Sequence, residues 1–109
     1  MNLAGKQIIY LGTELKLNVN IEPIGGMTMD GYNWVAEVYC SPNKPTIIKK
    51  GNAIRVDENN YVLLVDTTNL GTGALKCKIT AEIPDQDFDD SLRTEIACID
   101  TGITIAKQL

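Results

Sequence analysis

The chain has 109 residues, 44% of them apolar and 22% charged, with ten Lys and Arg against fourteen Asp and Glu and a net charge of −4. That length supports one hydrophobic core and is too short for two, so a single domain over residues 1–109 is expected. The apolar fraction is that of soluble folds, and the acidic balance, with Lys and Arg dispersed apart from Lys49-Lys50, excludes a nucleic-acid footprint and a disordered chain.

The first apolar run, Ile8-Ile9-Tyr10-Leu11, is cut short by Gly12, Thr13 and Glu14. It is therefore no signal-peptide core and no membrane span, and neither export nor a membrane partner is expected. A continuous apolar run of this kind is either an ordinary first strand or an edge that pairs with a neighbouring protein, which makes Ile8, Ile9, Tyr10 and Leu11 interface candidates. Strict alternation follows in Glu14–Ile21, with Leu15, Leu17, Val19 and Ile21 on one face, and predicts a half-buried strand. Residues 22–31 hold one Pro and three Gly and read as a loop, ordered by Met27 and Met29 packing inward.

Alternation resumes in Asn33–Cys40, with Trp34, Ala36, Val38 and Cys40 sharing a face, and Ser41-Pro-Asn-Lys-Pro45 ends it. Thr46–Lys50 and Ala53–Val56 are two short strands flanking Gly51-Asn52, a pair that favours a tight hairpin or a bulge. Tyr61–Asp66 is nearly all apolar and is expected to be a central strand. In Ala74–Ile83, Leu75, Cys77, Ile79, Ala81 and Ile83 face inward, whereas Lys76, Lys78, Thr80 and Glu82 face water. Leu92–Asp100 and Ile103–Ile105 complete the chain as one last strand, or one interrupted by a bulge at Thr101-Gly102. No segment has the periodicity of an amphipathic helix. About seven short strands with turn signals between them predict an all-β fold, a single immunoglobulin-like antiparallel β-sandwich, with a small barrel as the alternative.

Little in the chain carries chemistry. With no histidine, the commonest general base and zinc ligand is missing, and no Ser-His or Cys-His triad can form. Gly71-Thr-Gly73 lies between strands, without the helix N-terminus that would hold a phosphate, and reads as a turn. No catalytic residue, no enzymatic activity and no cofactor are expected. Cys40, Cys77 and Cys98 are odd in number and widely spaced, unlike close zinc pairs, so they read as small core residues in a reducing compartment, one disulfide or a reactive thiol being the alternatives.

The most unusual stretch is Ile83-Pro-Asp-Gln-Asp-Phe-Asp-Asp-Ser-Leu-Arg93, with four aspartates in six positions. Asp85, Asp87 and Asp89 match positions 1, 3 and 5 of an EF-hand loop, but Asp90 stands where glycine is needed and Ile96 where a bidentate glutamate is needed. Asp85, Asp87, Asp89 and Asp90 thus remain candidates only for a calcium site of another type. The simpler expectation is a turn in which Phe88 tucks against the core edge and Arg93 neutralises the acids. Asp87, Asp89 and Asp90 would then form a negative patch suited to a basic protein partner.

Three stretches, Leu11–Leu17 (LGTELKL), Asp66–Leu75 (DTTNLGTGAL) and Ile83–Glu95 (IPDQDFDDSLRTE), resemble small β-sandwich virion proteins of tailed, crAss-like bacteriophages. Those serve as capsid auxiliary proteins or as anchoring domains of head fibres and baseplates. The resemblance implies an auxiliary, or decoration, capsid protein in the virion, assembled in the host cytoplasm. It also implies many copies per particle and contacts with the major capsid protein and with head-fibre proteins. Fibre anchors continue into a shaft, whereas this sequence stops after Ile103–Leu109, which favours the auxiliary role. A fibre or baseplate adaptor is the alternative. A surface carbohydrate-binding or adhesion module would need Tyr10, Tyr32, Trp34 and Tyr39 to form an exposed platform.

Overall fold

The structure, a computed structural model, describes residues 7–21, 27–40 and 44–108. Among the described residues there are eight strands: β1 (Gln7–Tyr10), β2 (Glu14–Val19), β3 (Asn33–Tyr39), β4 (Thr46–Lys49), β5 (Ile54–Asp57), β6 (Asn60–Asp66), β7 (Gly73–Pro84) and β8 (Leu92–Ala106). They form a five-stranded sheet in the order β1-β8-β7-β3-β4 and a three-stranded sheet in the order β2-β6-β5. Short 3-10 turns at Met29–Gly31, Lys50–Asn52 and Asp89–Ser91 are the only helical turns among the described residues. The eighth strand is the Ile8–Leu11 region, and it departs from the antiparallel expectation: β1 runs parallel to the end of β8, with Gln7 opposite Ile103 and Tyr10 opposite Ala106.

The alternation read from the sequence is the alternation of burial. Leu17 and Val19 on β2, Tyr61, Leu63 and Val65 on β6, Trp34, Ala36 and Val38 on β3, and Leu75, Cys77, Ile79, Ala81 and Ile83 on β7 are all buried in one cluster that both sheets share. Each of the Val, Leu and Ile side chains contributes about 1.5–3 kcal/mol relative to leaving it in water, and the alanines about 0.8 kcal/mol each. Met29, fully buried, closes this core, and Met27 packs against it, as the loop composition predicted. β6 is central, lying between β2 and β5.

One expected hairpin is absent. β4 pairs with β3, while β5 pairs with β6 in the other sheet. Gly51-Asn52 therefore belongs to a crossing between sheets: Lys50–Asn52 turns once, with Ala53 N–H donating to Lys50 O at 3.1 Å. The bulge in β8 is real. Ala74 faces Thr104 and Lys76 faces Asp100, leaving two extra residues on β8; Gly102 supplies a φ of +74°, and the Thr101 hydroxyl donates to Leu75 O at 2.7 Å.

The turn from β1 to β2 moves the chain from one sheet to the other. It closes through Thr13 N–H to Tyr10 O at 3.0 Å, with Gly12 at φ +99°. Thr67, the one buried polar residue among those described, fixes it to the end of β6. Its hydroxyl accepts from Gly12 N–H at 3.0 Å and donates to Thr13 O at 2.7 Å.

Candidate functional site

The acidic stretch forms the tip of the β7–β8 hairpin. Asp85 closes it: its Oδ1 accepts from Asp87 N–H at 3.0 Å, its Oδ2 from Arg93 Nε at 3.0 Å, and its own N–H donates to Ser91 O at 3.0 Å. Arg93 also reaches Glu95. Arg93 is thus the local counter-charge the sequence predicted, shared between Asp85 and Glu95. Asp90 and Ser91 adopt left-handed backbone at φ 61° and 57°, a conformation aspartate tolerates better than serine. With Asp85 committed to Arg93 and to the backbone, the alternate-carboxylate pattern does not converge. Among the described residues no three His, Cys, Asp or Glu side chains gather as a metal-binding group.

The expectation for Phe88 fails. Instead of tucking against the core, it is 52% exposed, held outward by a turn in which Phe88 N–H donates to Asp85 O and Ser91 N–H to Phe88 O. The reason lies in the loop's own bonds: Pro84 ends β7, and the Asp85–Ser91 closure turns residue 88 away from the sheets before the core can reach it. Asp87, Asp89 and Asp90, in the same turn, are exposed as well. The tip thus presents one large apolar side chain in a turn rich in exposed carboxylates.

The other interface candidates divide by face. Ile9 and Leu11 pack against the core, whereas Ile8 (66% exposed) and Tyr10 (53%) project from the edge strand β1. The aromatic platform needed for glycan binding is not assembled. Trp34 and Tyr32 are buried, Trp34 with its ring edge-on to Tyr61 at 5.3 Å between centroids, and Tyr32 with its hydroxyl donating to Ile21 O. The cysteines also divide. Cys77 is buried and Cys40 half-buried, and burial raises both thiol pKa values, that of Cys77 to about 11. Cys98 is exposed, a correction to the core expectation: pairing of Cys77 with Ile99 puts Ile99 on the inner face and turns Cys98 outward, opposite Lys78.

One cluster was missed. Asp30 receives Arg55 through Nε at 3.0 Å and Nη2 at 2.8 Å, and the Tyr61 hydroxyl at 2.5 Å. Lys50 Nζ donates to Tyr32 O at 2.8 Å and to Asp30 O at 3.2 Å, and lies 5.9 Å from the centre of the Tyr61 ring. The bidentate guanidinium, followed by the tyrosine hydroxyl, holds the Asp30 carboxyl down at about 2. These residues come from the turn before β3, the crossing between sheets, β5 and β6, and no local pattern joins them. The cluster braces the crossing and leaves Asp30 fully ionised, an acceptor already committed to its partners.

Comparison with protein-family models, with curated proteins and with solved structures returns no match.

Proposed function

We propose that the chain is an immunoglobulin-like β-sandwich acting as a non-enzymatic phage virion protein, an auxiliary capsid protein that docks on the shell and stabilises it or supports head fibres. The strand order supports the fold reading. β2-β6-β5 can be lettered B-E-D and β8-β7-β3-β4 G-F-C-C′, the variable-type arrangement without C″. In that lettering Trp34 holds the buried position on strand C and Cys77 lies on strand F, while strand B offers Leu17 and Val19 in place of a second cysteine.

The observation that carries the docking reading is the hairpin tip, where Phe88 is held outward by bonds that leave Asp87, Asp89 and Asp90 open to a partner. An exposed aromatic anchor in a turn whose charges are of one sign suits a pocket with a basic rim. The virion assignment itself rests on the sequence resemblance. Its test is quantitative mass spectrometry of purified particles, with the chain expected at hundreds of copies, in the range of the major capsid protein. A few copies per particle would overturn the auxiliary role and leave the fibre or baseplate adaptor, whereas absence would overturn every virion role. Phe88→Ala is expected to fold normally and to lose binding to empty shells.

A further inference from the structure

We propose that the outer face of the five-stranded sheet is a self-complementary surface on which a second copy of this chain docks, independently of the virion role. Cross-strand pairing sets out that face as a grid. One row runs Lys49, Val35, Thr80, Ile96; the next runs Ile47, Glu37, Lys78, Cys98; the third runs Tyr39, Lys76, Asp100. Ile47 and Ile96 are 61% and 59% exposed, so the apolar groups at opposite edges of the grid stand in water.

Charge distinguishes this face from the rest of the molecule. Across β3, β4, β7 and the paired part of β8 it holds three acids, Glu37, Glu82 and Asp100, and three bases, Lys49, Lys76 and Lys78. The face is neutral, so the chain's net −4 lies wholly elsewhere. Two copies can approach through this surface without net charge repulsion between the faces that meet.

The grid also fits itself. A two-fold axis along the strands, between β3 and β7, exchanges β3 with β7 and β4 with β8 while keeping each row in place. Glu37 then meets Lys78 of the second copy, and Lys78 meets its Glu37. Tyr39 meets Lys76, a cation over a ring, and Val35 meets Thr80. Ile47 meets Cys98, beside an open depression of about 160 Å³ lined by Tyr39, Lys76, Cys98 and Asp100. No like charges face each other. Four strands about 4.8 Å apart and seven residues rising about 3.4 Å each give a projected area of roughly 450 Å² per copy. Side-chain relief brings the two copies near the ~1,000 Å² that a specific interface needs, so a reversible dimer is expected.

The test is charge exchange read by sedimentation equilibrium. Wild-type protein is expected to show a concentration-dependent monomer–dimer equilibrium. Glu37→Lys sets two ammonium groups against each other at both symmetry-related contacts, and Lys78→Glu sets two carboxylates there, so each variant alone should dissociate about a hundredfold more readily. Mixed in equal amounts, the two variants bring opposite charges together across the interface, and the dimer should return as a heterodimer. Melting curves establish that each variant is folded. A wild-type chain that stays monomeric to millimolar concentration, or variants whose mixture dimerises no better than either alone, would overturn the proposal.

Discussion

Replacing Thr67 by valine removes one hydroxyl from a fully buried position and nothing else of size. The hydroxyl makes two hydrogen bonds, from Gly12 N–H at 3.0 Å and to Thr13 O at 2.7 Å. Thr13 O keeps a second donor in Thr67 N–H at 3.2 Å, so its loss is partial, whereas Gly12 is exposed and its N–H can turn to water. Two bonds at about 1 kcal/mol each, offset slightly by the added buried methyl, give a net cost near 2 kcal/mol. For a domain of this size that corresponds to about 8 °C in Tm. Urea unfolding of wild type, Thr67→Val and Thr67→Ser measures it: valine should lower the midpoint with an unchanged slope, and serine, which keeps the hydroxyl, should recover most of the loss. The turn also delivers β1 to the edge of the larger sheet, so amide exchange of Ile9 and Leu11 should quicken in the valine variant. If valine costs less than about 0.5 kcal/mol, the clamp contributes nothing and β1 is held by its pairing with β8 alone.

The Asp30 cluster makes stability depend on acid. A carboxyl whose folded pKa lies near 2, below its unfolded value of 3.8, stabilises the fold at neutral pH, and that contribution is lost as pH falls from about 4 through 2. Melting curves of wild type and Asp30→Asn should therefore differ most at pH 5 and above and converge near pH 2; a constant gap across that range would refute the assignment. The thiols should separate by reactivity, because Cys77 is buried with its pKa raised to about 11 while Cys98 is exposed. A maleimide added to the native protein at pH 7.5 should label Cys98 and spare Cys77, as peptide mapping would reveal; equal labelling would mean that the core opens at β7.

Much of the fold was legible because a strand's side chains alternate with period two. Wherever one face is buried, as in Leu15–Val19, Trp34–Val38 and Leu75–Ile83, composition alone marks the strand and its inner face to within a residue or two. β8 was less legible, since Ile96 and Cys98 alternate with Ala97 and Ile99 and both faces carry small or apolar groups. Only its register against β7 assigns Ile99 to the core and Cys98 to solvent. Phe88 was misread for a related reason, its direction being set by the Asp85–Ser91 closure rather than by its own hydrophobicity.

The sequence by itself determined most of the strands and of the buried set and the pairing of Arg93 with the acidic turn, and it offered the bulge at Thr101-Gly102 as one of two readings, because each depends on neighbours a few residues apart. Partnership between distant segments was decided only by the tertiary structure. Alternation is the same whichever strand lies alongside, so it could not say that β4 and β5 part company across Gly51-Asn52, or that β1 runs parallel to β8. Nor could it bring Asp30 to Arg55 and Tyr61, 25 and 31 residues away. The rows of the outer face, in which Ile47, Glu37, Lys78 and Cys98 come from four strands, exist only once those partnerships are made.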